Sequence, residues 1–218
     1  MNRFWLCALL ALALAGPASA VTLQFGCIGG TAQACAVGEA SLSVEAAAGA
    51  GNTVTLTFAN ADAGTSSLTA IYLDDAGLIS RISIAGGAGT DFKKNGKPKN
   101  LPAGSTVSFV DDFHVTARKP SDSNGVNGGE TLTLVLTLKK GSTSADVLAA
   151  LADGSLRIGA LIGDADPGCV GQNTGPQCVG DPGVAAFVNL PSPVPEPAAA
   201  VLGGIACLGL AFYGRRRR

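Results

Sequence analysis

The sequence predicts an all-β domain: an antiparallel β-sandwich of the Ig-like or jelly-roll kind with one short helix. Three observations predict it. Short runs of alternating apolar and polar residues recur between residues 41 and 188, threonine and β-branched residues are frequent in them, and glycines fall mainly between them. Alternation with a period of two is typical of a strand that buries one face. Seven or more such strands, separated by turn residues, favour two antiparallel layers.

Two of the predicted strands have especially regular patterns. In 52–60, Val54, Leu56 and Phe58 share one face and threonines occupy the other, and in 131–138 threonine alternates with leucine. The full set of predicted strands is 41–46, 52–60, 68–73, 78–84, 106–110, 131–138, 155–162 and 184–188. The last of these is expected at an edge of the sheet.

One helix is predicted over 145–153. Ser144 can cap its N-terminus, and Gly154 can end it in a left-handed conformation. The apolar side chains Val147, Leu148 and Leu151 share one face at helical spacing. We expect this face to pack on the sheet at an open end of the domain.

The first twenty residues predict an export signal. Arg3 supplies a positive charge, 4–15 form an apolar run that a Gly-Pro pair breaks, and an Ala-x-Ala cleavage site ends at Ala20. Val21 is then the first mature residue, and the extracytoplasmic domain is expected to span 21–190. A retained N-terminal helix is the alternative, but the apolar run is short for a membrane-spanning helix.

The C-terminal segment, 191–218, contains a linker (191–194), a Pro-Glu-Pro motif, an uncharged run (198–214) and a basic end. The motif is Pro195, Glu196 and Pro197, and the basic end is Arg215, Arg216, Arg217 and Arg218. Seventeen helical residues rise roughly 25 Å, which is at the short limit for a bilayer core of about 30 Å.

Two interpretations of the uncharged run 198–214 are possible. A buried core helix is one, but four consecutive arginines have no packing role there. A single membrane anchor is the other, because long arginine stems extend its effective reach. The arginines then stay on the cytoplasmic side and the domain lies outside. The sequence therefore predicts contact with membrane lipid.

The charge of the exported domain argues against nucleic-acid binding. Residues 21–194 carry ten Lys and Arg against fifteen Asp and Glu, and no stripe of basic and aromatic residues. The one basic patch is Lys93, Lys94, Lys97 and Lys99. It could meet an acidic polysaccharide or lipid headgroups, although a loop with Gly and Pro is also typical of a solvated turn.

Four cysteines remain in the exported domain, since Cys7 belongs to the predicted signal and Cys207 to the predicted anchor. They are Cys27, Cys35, Cys169 and Cys178. An even number in an oxidising compartment predicts two disulfides. The short spacings favour the local pairs 27–35 and 169–178, and cross-pairing is the alternative. A zinc site is disfavoured by the absence of C-x-x-C and by the single histidine.

Catalysis has little support, and no catalytic residue is predicted. His114 is the only imidazole, and no G-x-S-x-G nucleophile elbow is present. The carboxylate pairs Asp74-Asp75 and Asp111-Asp112 consist of neighbours, which point to opposite faces of a strand. Neither pair alone gives the opposed carboxyls of a glycosidase. The exported domain has no tryptophan on which a sugar could stack.

Calcium is the one metal that the sequence leaves open. Asp122, Asn124, Asn127 and Glu130 place hard oxygen ligands along one loop. Their spacing does not fit the D-x-[DN]-x-[DN]-G loop, and ordinary turns use the same residues. No cofactor is otherwise expected.

The C-terminal segment resembles the PEP-CTERM sorting signal of Gram-negative bacteria. The resemblance rests on 194–197, the apolar run 198–213 and the basic end 215–218, about a tenth of the chain. It implies recognition of Pro195, Glu196 and Pro197 by an exosortase, as processing residues rather than catalytic ones. Prolines keep such a motif extended, so that a protease-like cleft can read it. It also implies an association with exopolysaccharide and biofilm matrix.

The body of the chain resembles PEP-CTERM proteins of unassigned function as well. The similar stretches are 56–75, 124–138, 156–163 and 187–189, and they carry no known catalytic residues. The expected function is therefore that of an exported structural or interaction protein at the cell surface or in the matrix. A carbohydrate- or ligand-binding module with Tyr72 in an exposed aromatic platform is one alternative. A hydrolase in which His114 or a carboxylate pair converges in a pocket is another.

Overall fold

The computed structural model describes residues 20–64, 66–163 and 183–191. Its elements are β1 (Ala20–Gly29), α1 (Ala32–Ser41), β2 (Leu42–Ala48), β3 (Thr53–Asn60), β4 (Ser67–Asp74), β5 (Ile79–Gly86), β6 (Phe92–Lys94), the 3₁₀ helix η1 (Gly104–Val107), β7 (Phe113–Ala117), α2 (Ser121–Asn124), β8 (Thr131–Leu138), α3 (Ser144–Asp153), β9 (Arg157–Gly163) and β10 (Ala185–Asn189). Residues 1–19 of the predicted signal, the second cysteine pair and the segment 192–218 lie outside the described residues, whereas Ala20, the last residue of that predicted signal, pairs with Ala47 of β2. None of the helices described is long and apolar enough to cross a membrane.

The ten strands form one antiparallel sheet in the order β5-β8-β3-β2-β1-β10-β9-β4-β7-β6. Its two ends, β5 and β6, approach each other, so the sheet is nearly closed into a barrel. Strand β1 joins its two halves: residues 20–24 pair with β2, and residues 25–29 pair with β10. The prediction of an antiparallel all-β domain is confirmed.

The two halves of the sheet bury their faces differently. In β3 and β8 buried residues alternate with partly exposed ones, as expected for strands with one solvated face. By contrast, every residue of β10 and nearly every residue of β4 and β9 is buried. The half that contains β4, β9 and β10 is therefore covered on both sides.

One face of this half packs on the main core. The other face is covered by residues 95–112, which we call the covering segment. The covering segment contributes Leu101 to an outer apolar cluster that is separate from the main core. The other members of this cluster come from the sheet: Ala70, Tyr72, Leu161, Ala186 and Val188. Val107 and Phe109 of the covering segment pack against it. Gly159 of β9 permits this close approach, because a Cβ there would lie 2.7 Å from Leu101 Cδ2.

Helix α3 is confirmed, with a refinement of its N-cap. Thr143, not Ser144, is the N-cap, and it forms a capping box with Asp146. Gly154 ends the helix with φ 79°. The predicted apolar face is buried in the main core.

The expectation of one short helix is wrong, because α1 and the four-residue α2 also form. Helix α1 consists mainly of small residues and approaches β10 closely. A Cβ at Gly38 would lie 2.1 Å from Phe187 Cζ, so only glycine allows this contact. The stretch 106–110, predicted as a strand, instead contains the last two residues of η1 and a left-handed residue at Ser108. Finally, β10 is an interior strand between β1 and β9, not an edge.

Candidate functional site

Three polar side chains meet where the covering segment packs on β4 and β7. The rings of Tyr72 and His114 are stacked with centroids 5.9 Å apart. His114 Nδ1 lies 3.2 Å from Asp111 Oδ2, and His114 Nε2 lies 3.2 Å from the carbonyl oxygen of Gly96. The Tyr72 hydroxyl donates to the carbonyl oxygen of Pro98 at 3.2 Å. We call Tyr72, Asp111 and His114 the buried polar cluster.

Burial controls the electrostatics of this cluster. Only 7% of the Asp111 side chain is exposed. Desolvation raises the pKa of Asp111, His114 lowers it by a smaller amount, and the neighbouring Asp112 raises it. Burial together with Asp111 also raises the pKa of Tyr72 well above its usual value, so its phenol stays a hydrogen-bond donor.

Among the described residues, the arrangement resembles two members of a catalytic triad without the third. In such a triad the second imidazole nitrogen faces a serine or cysteine nucleophile. Here that nitrogen faces the carbonyl oxygen of Gly96, which has no nucleophilic group to be activated. The cluster's three contacts instead tie the covering segment to the sheet.

The two carboxylate pairs do not converge. Asp74 binds the guanidinium of Arg157, whereas Asp75 accepts from the backbone N–H groups of Leu78 and Ile79. Asp111 is turned inward to the buried polar cluster, and the exposed Asp112 accepts from the N–H of Asp75 at 2.8 Å. Each carboxylate of these pairs is thus engaged in a local contact.

The candidate calcium ligands are also engaged separately. Asn124 Nδ2 donates to the carbonyl oxygen of Arg118, and both nitrogens of Asn127 donate to Glu130 Oε2. Asp122 accepts from the hydroxyl of Ser121 at 3.4 Å. Among the residues that the structure describes, no three His, Cys, Asp or Glu side chains come together as metal ligands.

The aromatic platform expected for sugar stacking is not formed in the described part of the chain. Tyr72 is fully buried in the outer apolar cluster. The buried phenylalanines are Phe25, Phe58, Phe92 and Phe187, and Phe109 and Phe113 pack against the two apolar clusters. The exposed large apolar side chains are the aliphatic Val110 and Leu190.

A groove of about 440 Å³, which we call the lysine groove, lies beside β6 and β7. It is lined by Lys93, Asn95, Gly96, Lys97, Thr116, Ala117, Lys119 and Ser121. Lys93 is directly opposite Thr116 in the sheet, which puts both side chains on one face. The sequence identified Lys93 and Lys97. Lys119 and Thr116 were missed because the strand pairing, not the sequence order, brings them to the groove.

Cys27 and Cys35 form a disulfide, with their Cα atoms 5.4 Å apart, as the sequence predicted. It links β1 to the first turns of α1. Glu39 of α1 reinforces this link by accepting from the N–H of Cys27 at 2.9 Å. Cys169 and Cys178 lie outside the described residues.

No protein family, curated protein or solved structure matches this chain.

Proposed function

We propose that the protein is an exported structural or interaction protein that is sorted through its C-terminal segment. The observation that carries the proposal is the order of three parts in the sequence: Pro195-Glu196-Pro197, the uncharged run 198–214 and the arginines 215–218. The proposal gives each part a physical role: prolines disfavour helix and sheet, an uncharged run of this length suits a bilayer core, and arginines favour the cytoplasmic side.

The domain is compatible with this route in one specific respect. Disulfides persist outside the cytosol and are rare inside it, and the Cys27–Cys35 bond lies near the start of the domain. We propose that the domain is exported across the inner membrane of a Gram-negative bacterium. A single helix then anchors it until an exosortase processes the tail. The processed protein then lies at the cell surface or in the extracellular matrix, in association with exopolysaccharide and biofilm.

For the fold, we propose a β-sandwich rather than a round barrel. Strand β1 divides its pairing between β2 and β10, so that it belongs to both layers. The layer with β3 and β8 has one solvated face, and the layer with β4 and β9 is covered by residues 95–112. A division into two unlike layers is closer to an Ig-like or jelly-roll arrangement than to a symmetric barrel.

The alternatives receive less support from the side chains. A module that stacks sugars on aromatic rings needs exposed rings, and Tyr72 is buried. A hydrolase needs a nucleophile or an opposed acid, and His114 faces a backbone carbonyl instead. A structural or interaction role needs neither feature.

Two tail variants test the proposal in the native host. One replaces the arginines 215–218 by glutamines, and the other replaces residues 195–197 by alanines. We expect both variants to accumulate unprocessed in the membrane fraction, with the Cys27–Cys35 disulfide formed and the domain resistant to protease. A matched variant with Lys139→Gln and Lys140→Gln in the domain should be processed normally. Normal processing of both tail variants would contradict the proposal.

A further inference from the structure

We propose that the lysine groove is a binding site for an acidic saccharide, held by ion pairs and hydrogen bonds without aromatic stacking. The inference rests on the proposed function in one respect, because an exported domain meets such saccharides outside the cell. The groove volume of about 440 Å³ lies within the range of roughly 300–1,000 Å³ that is typical of small-molecule sites.

The first argument is the charge of the groove. Three of its lining residues are lysines, and none is acidic. Within the described residues, the ion pairs involve Lys139, Arg118, Arg157 and His114, and none involves Lys93, Lys97 or Lys119. Three lysines thus line one concavity without an ion-pair partner among the described residues, in a domain that is acidic overall. Such local convergence favours an anionic ligand.

The second argument is a buried hydroxyl at the groove. Thr116 is 2% exposed, and its Oγ1 has no hydrogen-bond partner in the part of the chain that the structure describes. A buried hydroxyl without a partner costs free energy, so its presence points to a partner that the protein alone does not supply. Asn95 and Ser121 add an amide and a second hydroxyl to the lining.

The third argument is that the groove is built on a fixed frame. Lys93 and Thr116 are held opposite each other by the pairing of β6 with β7. Glycine is required at position 96, because a Cβ there would lie 1.7 Å from Thr116 Oγ1. The contacts of Gly96 and Pro98 with the buried polar cluster fix this side of the groove. A frame that holds its polar groups in place lowers the entropy cost of binding.

The combination of groups selects the class of ligand. A ligand that satisfies lysines together with hydroxyl and amide groups carries both anionic oxygens and hydroxyls, as a uronic-acid saccharide does. An anionic membrane surface would favour exposed apolar side chains beside the lysines, and the groove lining contains none larger than Ala117. Single-stranded nucleic acid would favour aromatic platforms, which the groove also lacks.

Binding is tested with the full chain purified in a neutral detergent, with tetragalacturonate as the probe and isothermal titration calorimetry as the measurement. We expect binding of tetragalacturonate that weakens as salt is raised, and no binding of neutral maltotetraose. The variant Lys93→Gln/Lys119→Gln should weaken binding by roughly tenfold. The matched variant Lys139→Gln/Lys140→Gln removes the same charge elsewhere and should bind as the wild type does.

A second variant tests the contribution of the Thr116 hydroxyl to binding separately from that of the lysine charges. Thr116→Val keeps the side-chain shape and removes Oγ1, so it should bind several-fold more weakly while its Tm stays equal or rises. Glycerol phosphate, the charged part of an anionic lipid, serves as the competing probe. The proposal is overturned if the groove variant binds tetragalacturonate as tightly as the wild type. It is equally overturned if maltotetraose binds as well, or if only glycerol phosphate binds. Because the assay uses purified protein, its result is independent of tail processing.

Discussion

Arg157 of β9 and Asp74 of β4 face each other across paired strands, and Nε and Nη2 of the guanidinium both donate to Asp74 Oδ2. Arg157 also donates to the carbonyl oxygens of Val107 and Ser108, each at 2.6 Å. Its guanidinium carbon lies 5.4 Å from the centre of the Phe109 ring. One side chain therefore joins the sheet to the far end of the covering segment.

Arg157→Gln should destabilise the domain by about 2–3 kcal/mol, because it removes the positive charge beside the partly buried carboxylate of Asp74 and leaves two carbonyls without their donors. Arg157→Lys keeps the charge but cannot reach all three acceptors, so its loss should be intermediate. Urea unfolding measures both. A loss below about 0.5 kcal/mol for Arg157→Gln would mean that this contact does not anchor the segment.

Stability should depend on the protonation of Asp111. Burial raises its folded-state pKa above the unfolded value of 3.8, so the folded state holds this proton more tightly. The resulting stabilisation is complete below pH 3.8 and is lost as pH rises through the folded-state pKa. Asp111→Asn stays neutral and should raise Tm by roughly 2–4 °C at pH 7–8, with no gain near pH 3.5.

Thermal unfolding followed by circular dichroism between pH 3.5 and pH 8 measures this effect. Asp91→Asn is the matched control, because Asp91 is exposed and pairs only with the exposed Arg118. An Asp111→Asn variant that is less stable than the wild type at pH 8 would show that the contact with His114 outweighs desolvation.

The Tyr72 hydroxyl should contribute to the attachment of the covering segment. Tyr72→Phe keeps the ring stacked on His114 but leaves the carbonyl oxygen of Pro98 without its donor. We expect a loss of about 1 kcal/mol in the free energy of unfolding. Tyr72→Ala also opens the outer apolar cluster and should cost about 3–5 kcal/mol. Equal losses for the two variants would contradict a separate role of the hydroxyl.

The Cys27–Cys35 disulfide closes a short loop between β1 and α1, with a sequence separation of 8 residues. By the chain-entropy account, Cys27→Ser/Cys35→Ser should lower the free energy of unfolding by about 2–3 kcal/mol. Peptide mapping without reduction should identify this pair in mature protein. Free thiols at both positions would contradict the disulfide, and mapping also tests the predicted 169–178 pair.

The alternating strands were predictable because one solvated face leaves a period-two pattern, as in β3 and β8. The interior position of β10 was not predicted. Its continuous apolar run is typical of a strand with both faces covered, but the strands that pair with it, β1 and β9, are distant or separate in the sequence and cannot be identified from the run itself. That run, with those of β4 and β9, was the signal for the covering segment. The only sequence signal for helix α1 is its N-cap residue, Thr31, because small residues such as Gly38 form no apolar stripe along the helix.

The site was predictable in part as well. The lysines of 93–99 are visible as a local cluster, whereas Thr116 joins them only through the β6–β7 pairing. His114 was considered by itself, and Asp111 only together with its neighbour Asp112. The contact between Asp111 and His114 depends on where the chain enters β7, which residue types do not specify.

The most direct test of export and sorting is the intact mass of the mature protein, recovered from the surface or matrix fraction of its native host. The account predicts a chain that begins at Val21, retains its domain and lacks the residues beyond the Pro195-Glu196-Pro197 motif. Recovery of the intact polypeptide from the cytosol, with both ends uncut and Cys27 and Cys35 reduced, would contradict it.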